Sequence, residues 1–115
     1  MAPFIVFDED GELKAVAGAP GGSRIILYVA KTLLGVLDWD LSVQQAVELP
    51  NITNRNDVTA LEKGLVDEAL QQGLEARGHE IKIMDQNSGV HAIAVQNGKL
   101  YGGADPRREG LALGD

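Results

Sequence analysis

The sequence predicts an α+β fold in which a largely antiparallel sheet carries helices on its face. Two pairs of strands are joined by short turns, one pair near each end of the chain, and strands paired in this way run antiparallel. Three helical segments lie between the two pairs. The chain has 115 residues, of which 44% are apolar and 23% charged, as is typical of one globular domain. We therefore expect a single domain over residues 1–115.

The first strand pair occupies the start of the chain. Pro3 to Asp8 predicts a strand that is buried on both faces, because Phe-Ile-Val-Phe is apolar at every position. The sequence Asp-Glu-Asp-Gly at 8–11 predicts a turn, and Leu13 to Gly18 predicts the second strand of a hairpin. The segment 18–23, with three glycines and a proline, then breaks the pattern.

A helical period begins at Arg24. Polar or small residues recur every three or four positions as one narrow stripe, and the rest of the circumference is apolar. We therefore expect an interior helix that is covered on more than one side. Trp39, directly after it, is predicted to be an anchor in the core.

Capping residues predict a second helix. Ser42 and Gln45 have the spacing of a capping box at its start, and Leu49-Pro50 ends it. The polar stretch 51–57 predicts an irregular crossover, and Thr59 to Leu61 predicts a short strand.

The last part of the chain predicts one helix and three strands. An amphipathic helix has Val66, Ala69, Leu70 and Leu74 on one face and ends at Gly78. The alternating segment from Glu80 predicts a half-buried strand. Val90 to Val95 and Lys99 to Gly102 predict a hairpin across Asn97-Gly98, a pair typical of tight hairpin turns.

Composition excludes several classes of function. The chain has 17 acidic and 10 basic residues and a net charge of −7, so its field repels nucleic acid and anionic lipid. It has no cysteine and two histidines, which predicts no metal site and no cofactor. No apolar run has the length of a membrane span. Any chemistry must then come from hydroxyls, carboxylates or the backbone.

The glycine loop, which we define as residues 18–24 (Gly-Ala-Pro-Gly-Gly-Ser-Arg), is the segment with the most information about function. It joins a strand to a helix, where free N–H groups and the helix dipole favour negative charge. The charge could belong to a bound anion or to a transient oxyanion. A phosphate loop would need Lys before Ser or Thr, and here Ser23 precedes Arg24. The glycines could also make only a tight turn.

Four motifs in order resemble the γ-glutamyltranspeptidase family. They are Met1-Ala-Pro-Phe-Ile-Val-Phe-Asp8, Gly18-Ala-Pro-Gly-Gly-Ser-Arg-Ile25 with Asp38-Trp39 after it, Gly102-Gly-Ala-Asp-Pro-Arg-Arg108, and Gly110-Leu-Ala. The resemblance covers the C-terminal part of that family's small subunit. It implies part of an N-terminal nucleophile hydrolase fold, an αββα sandwich. It also implies that the backbone N–H groups of Gly21 and Gly22 form the oxyanion hole for γ-glutamyl amides such as glutathione.

The same resemblance implies that this chain holds only part of the active site. The family's nucleophilic threonine and its substrate-binding residues lie upstream, and neither Met1 nor Ala2 offers a nucleophilic side chain. Ala19 replaces a serine found in many members, which we interpret as neutral. We expect the isolated chain to be an inactive C-terminal fragment, with the remaining large and small subunit segments as partners. We also expect it either to self-associate or to pack in a rearranged way, because apolar faces would otherwise be exposed. Members are commonly periplasmic, secreted or membrane-tethered, and this sequence carries no targeting signal.

Other candidate residues have structural explanations. Asp105, Arg107 and Arg108 are predicted to close the C-terminal tail through ion pairs, and His91 to have a surface or structural role. The acidic residues at 9, 10 and 12 predict a solvated turn. As an alternative function, the loop Gly21-Gly22-Ser23 could belong to a non-catalytic module that binds a small carboxylate, or to a purely structural one.

Overall fold

The structure, a computed structural model, describes residues 2–114. These residues form two compact units, one made of the chain up to Leu49 and again from Ser88, the other of Pro50–Asn87. The single domain over residues 1–115 stays a prediction, and Met1 and Asp115 at its ends lie outside the described residues. None of the described helices is long and apolar enough to cross a bilayer.

The first unit is a four-stranded antiparallel sheet with two helices. Within residues 2–114, the elements of both units are, in chain order, β1 (Phe4–Phe7), β2 (Leu13–Gly18), α1 (Ile25–Leu37), α2 (Val43–Glu48), β3 (Ile52–Asn54), β4 (Thr59–Glu62), α3 (Glu68–Ala76), β5 (Ile81–Met84), β6 (His91–Gln96) and β7 (Lys99–Ala104). Those between α2 and β6 belong to the second unit. The strand order is β1-β2-β6-β7. Because α1 and α2 pack on this sheet, the α+β class and both predicted hairpins are confirmed.

Small side chains form the floor of the core in this unit. Ala15 and Ala17 of β2 lie opposite Ala94 and Ala92 of β6, and all four are buried. Their short side chains allow the two helices to approach the sheet closely, and the valines of α1 and α2 fill the space above it. The loop between β2 and α1 therefore starts from a closely packed part of the sheet.

The prediction that β1 is buried on both faces is wrong. Ile5 is 64% exposed, and Phe4 and Phe7 are also exposed. The reason is topological, since β1 is an edge strand that pairs only with β2 in the described part of the chain. An apolar sequence shows that a strand favours burial but does not supply the layer that would cover it.

The prediction that α1 is covered on more than one side is also wrong for the described residues. Its buried face carries Tyr28, Thr32 and Gly35, whereas Ile26 is 61% exposed. Thr32 can be buried because its Oγ1 donates a hydrogen bond to the carbonyl of Tyr28, at 3.1 Å. Three members of the stripe of polar and small residues, Tyr28, Thr32 and Gly35, therefore lie on the packed side of the helix.

Gly35 allows α2 to pack closely against α1. A Cβ at Gly35 would lie 2.8 Å from Cβ of Ala46. We predict that Gly35→Ala lowers the free energy of unfolding by about 1–3 kcal/mol through overpacking, measured by urea unfolding. Gly73→Ala in α3 is the matched control, because its Cβ would be 3.5 Å from its nearest contact and alanine favours the helix by about 0.5–1 kcal/mol. Equal effects of the two variants would contradict this packing.

The start of α2 is as predicted. Oγ of Ser42 accepts a hydrogen bond from N of Gln45 at 3.1 Å, and N of Ser42 donates to Oε1 of Gln45 at 3.0 Å. The two bonds satisfy backbone and side chain reciprocally, which confirms the capping box. Trp39, between the two helices, is 55% exposed, so the prediction that it anchors the core is wrong.

The second unit is a three-stranded sheet in the order β3-β4-β5, with α3 joining β4 to β5. The strand predicted from Thr59 is confirmed, but the irregular crossover at 51–57 is wrong in part because it contains β3. A buried side chain explains the difference. Nε2 of Gln86 donates to the carbonyls of Asn51 and Ala60, both at 3.1 Å, and Oε1 of Gln86 accepts from Oγ1 of Thr53 at 2.9 Å.

The ends of α3 and the last hairpin follow local chemistry. Asp67 caps α3 through a hydrogen bond from N of Leu70, at 2.7 Å. Gly78, at a φ of +91°, follows the helix as predicted. Asn97 and Gly98 both have positive φ, at +53° and +74°, so they form the predicted tight turn between β6 and β7.

Candidate functional site

The glycine loop leaves the buried sheet and becomes exposed before α1 begins. Ala19 is buried, whereas Gly21 and Gly22 are exposed. Gly21 has a φ of +138°, a region that side chains disfavour. This conformation turns the chain sharply between Gly18 at the end of β2 and Ile25 at the start of α1.

The amides of Gly21 and Gly22 are not used in the turn. The carbonyl of Gly22 accepts a hydrogen bond from N of Ile25 at 3.3 Å, but neither glycine N–H donates to any partner among residues 2–114. The first turn of α1 has no acidic side chain, and Arg24 at its N-cap makes no side-chain capping bond. Two backbone donors without a partner thus lie in exposed residues, three and four positions before the first residue of α1.

A buried ion pair lies in the same unit. Asp105 is 1% exposed, and its Oδ1 accepts bonds from N and Nη1 of Arg107, at 3.1 and 3.0 Å. Arg107 also donates from Nη1 to the carbonyl of Val47 and from Nη2 to that of Leu49, both at 3.0 Å. The tail is therefore fastened to the end of α2, as predicted for this pair. Cδ of the next arginine, Arg108, lies 2.7 Å from the Cβ position of Gly89.

Opposing influences set the pKa of Asp105. Burial raises this pKa, but hydrogen bonds from Ser88, Arg107 and Val90 favour the ionised form and together hold the pKa below its ordinary 3.8. An acid whose pKa is lower when folded stabilises the protein above its unfolded pKa. That stability is lost as the pH falls through the folded value.

We predict the corresponding pH dependence. Between about pH 5 and 8 the contribution of Asp105 to the free energy of unfolding should be fully present and should not vary with pH, and below about pH 4 it should decline. Urea unfolding at a series of pH values measures this, with Asp105→Asn for comparison. The variant should show a smaller loss on acidification than the parent chain. Equal losses below pH 4 would contradict an ionised, hydrogen-bonded Asp105.

One hydroxyl–imidazole pair was not predicted from the sequence. Oγ1 of Thr59 lies 2.7 Å from Nδ1 of His79, a distance compatible with a nucleophile and its base. Thr59 is only 3% exposed, and its Oγ1 also accepts a bond from Nδ2 of Asn54 at 2.9 Å. Such a hydroxyl is not open to a substrate, so the pair has a structural role. The 20-residue separation gave no local signal.

The remaining candidates lie at the surface. Glu9, Asp10 and Glu12 are exposed, and Oδ1 of Asp8 accepts bonds from N of Asp10 and N of Glu12, both at 2.9 Å. This is a solvated turn, as predicted. His91 is exposed on β6. Among residues 2–114, no three His, Asp or Glu side chains group closely enough to hold a metal ion.

Comparison with solved structures defines the class of protein. The chain superimposes on γ-glutamyltranspeptidase from Helicobacter pylori (T380A mutant) with a TM-score of 0.87 and 31% identity, over 94% of this chain and 61% of that one. It matches the enzyme from Pseudomonas nitroreducens, solved with L-DON, with a TM-score of 0.87 and 28% identity, over 100% of this chain and 62% of that one. The fold is that of part of an N-terminal nucleophile hydrolase, as expected.

Sequence comparison then identifies the family. The model of the γ-glutamyltranspeptidase family matches residues 1–115, so the chain belongs to this family. It is 36% identical over 110 residues to the glutathione hydrolase proenzyme of Escherichia coli, covering 93% of this chain and 19% of the relative. It is 34% identical over 115 residues to the acylase ACY 1 proenzyme of a Pseudomonas strain, covering 98% of this chain and 20% of that relative. The chain thus spans about a fifth of the length of these relatives.

Proposed function

We propose that this chain supplies the oxyanion hole of a γ-glutamyl acyltransferase or hydrolase that acts on glutathione and other γ-glutamyl amides. The observation that carries the proposal is that Gly21 and Gly22 are exposed residues whose N–H groups have no hydrogen-bond partner among residues 2–114. Free backbone donors are what an oxyanion hole requires. Membership of the family supports the choice of reaction.

The chemistry assigns these donors a role in one step. A threonine hydroxyl, contributed by another segment of the parent protein, attacks the carbonyl carbon of the γ-glutamyl amide. The carbonyl oxygen then becomes an oxyanion, and the two N–H groups donate hydrogen bonds to it. The amine leaves with a proton, and an acyl-enzyme remains for attack by water or an acceptor amine. Because the negative charge exists only in the transition state and intermediate, the donors accelerate the reaction more than they aid substrate binding.

The partners of this chain are accordingly the remaining segments of the large and small subunits. The relatives are about five times as long as the matched region. The family's nucleophile is a threonine, and all three threonines of this sequence, Thr32, Thr53 and Thr59, are buried. We therefore place the nucleophile outside this chain.

We predict that the isolated chain does not release a chromogenic product from a γ-glutamyl anilide. The full-length parent protein, assayed in parallel, is the positive control and should show turnover. Turnover by the purified chain, abolished by substitutions at Gly21 or Gly22, would contradict the assignment of the nucleophile to another segment.

The alternative function, binding of a small carboxylate, uses the same exposed amides. Titration of the ¹⁵N-labelled chain with glutathione and with glutamate separates the two proposals. Saturable shifts confined to residues 21–23, together with a full-length protein that lacks turnover, would favour a binding module. Turnover by the full-length protein would favour the enzyme.

A further inference from the structure

Gly89 lies next to Pro20 of the glycine loop. A Cβ at Gly89 would be 3.2 Å from Cγ of Pro20 and 2.7 Å from Cδ of Arg108. The first distance is tight and the second is too short for a real side chain, so only glycine allows these neighbours to approach. Pro20 immediately precedes Gly21, and its ring fixes its own φ. The backbone at Gly89 therefore packs against Pro20, the residue just before Gly21 and Gly22.

Asp105 holds the two residues that flank Gly89. Its Oδ2 accepts a hydrogen bond from Oγ of Ser88 at 2.5 Å and one from N of Val90 at 3.2 Å. Its own N donates to the carbonyl of Val90 at 2.9 Å. Hydrogen bonds to an ionised carboxylate are the stronger kind, and breaking them here would leave a buried charge unsatisfied. The backbone at Gly89 is thus fixed on both sides.

We propose that Asp105 is a positioning residue that fixes the amides of Gly21 and Gly22 through Gly89 and Pro20. The inference rests on the proposed oxyanion hole, because its value lies in preorganising those two donors. Donors at such a site must be held within about 0.5 Å of the productive geometry. Packing provides this rigidity where hydrogen bonds cannot, since the two amides themselves must stay free for the ligand.

The contacts continue from Asp105 into the fold. Arg107 connects its carboxylate to the carbonyls at the end of α2, and Nζ of Lys31 donates to one of them, on Leu49, at 2.8 Å. On the other side of the loop, Cγ1 of Ile25 lies 3.4 Å from the Cβ position of Gly21. The loop is therefore supported by Pro20 before the glycines and by Ile25 after them.

NMR of the ¹⁵N-labelled chain tests the proposal without substrate. In the unaltered chain, the amides of Gly21 and Gly22 should be as rigid as those of β6, with order parameters of about 0.85. Values below about 0.6 would overturn the proposal, because a mobile loop is not held in position. This measurement needs no variant.

Two variants then test the route through Gly89. Gly89→Ala adds a Cβ against Pro20, and Ser88→Ala removes one bond to Asp105 without adding volume. Both should shift the amide signals of Gly21 and Gly22 and leave those of Gly64 and Gly78, in the other unit, unchanged. Gly73→Ala is the matched control and should leave the loop signals in place. Unchanged loop signals in folded Ser88→Ala and Gly89→Ala chains would show that Asp105 is only structural.

The full-length protein separates this inference from the proposed function. There, Gly89→Ala should lower kcat by about tenfold or more and leave KM nearly unchanged, because the donors act on a charge present only in the transition state. If Gly89→Ala shifts the amide signals of Gly21 and Gly22 but leaves kcat unchanged, the positioning role is supported and the oxyanion hole is refuted. An unchanged kcat with unmoved signals would refute the positioning.

Discussion

Replacing Asp105 with asparagine is expected to lower the free energy of unfolding by about 3 kcal/mol. The carboxylate is buried and accepts four hydrogen bonds, from Ser88, Val90 and two nitrogens of Arg107. An asparagine of the same shape turns a donor toward one of these donors and leaves Arg107 without its countercharge. Breaking a buried ion pair in this way typically costs about 3–5 kcal/mol. Since small domains are stable by about 5–15 kcal/mol, the loss is large.

The matched control for this substitution is Asp67→Asn. Asp67 caps α3 through a bond from N of Leu70, and asparagine caps a helix about as well as aspartate. Urea unfolding of both variants at pH 7 should therefore show a loss of only a few tenths of a kcal/mol for position 67. A loss below about 1 kcal/mol for Asp105→Asn would contradict the ion pair as the fastening of the tail.

Replacing Gly21 with alanine should lower the kcat of the full-length protein by about 10²–10³-fold, the effect of removing one oxyanion-hole donor. Gly21 has a φ of +138°, and its Cβ position lies 3.4 Å from Cγ1 of Ile25. Alanine is strained in this conformation. Relief of the strain rotates the peptide planes on both sides and redirects the two amides.

Steady-state kinetics with a γ-glutamyl anilide measures this effect. KM should change little, because the proposed oxyanion forms only during the reaction and the two donors therefore add little to substrate binding. Gly18→Ala is the control, since it adds a Cβ where no atom lies within 4 Å, and it should retain kcat within about twofold. A Gly21→Ala enzyme with near-normal kcat would remove these amides from the mechanism.

Local chemistry made much of the fold predictable. Ser42 and Gln45 satisfy each other's hydrogen bonds within four residues, so the start of α2 depends on nothing distant. The Asn97-Gly98 turn requires positive φ at both positions, which few residue pairs tolerate. These elements were recognised because their determinants lie next to each other in the sequence.

The face of α1 was not predictable in the same way. Its 3.6-residue period identified a helix, but the side that packs is decided by the neighbours it meets. Gly35 allows close contact with Ala46, and the hydroxyl of Thr32 donates to a carbonyl of its own helix, so these two positions of the polar and small stripe are buried. The second unit shows the same limit, because Gln86 fixes the strand at Ile52–Asn54 from 33 residues away.

Only the local part of the candidate site was predictable from the sequence. The glycine loop was recognised from residue type alone, since adjacent glycines before a helix predict exposed amides. Its support from Gly89 and Asp105 was not, because Ser88 and Asp105 are 17 residues apart and meet only through the pairing of β6 with β7. Asp105 was predicted to close the tail. Its bonds to Ser88 and Val90, on either side of Gly89, are the contacts that our proposal connects to the loop.

A crystal structure of the full-length protein with a γ-glutamyl phosphonate, a mimic of the tetrahedral intermediate, tests the central claim most directly. We expect one phosphonate oxygen to lie about 2.7–3.1 Å from the backbone nitrogens of both Gly21 and Gly22. A phosphonate bound with its oxygens on other donors, and more than about 3.5 Å from both nitrogens, would contradict the assignment of the glycine loop as the oxyanion hole.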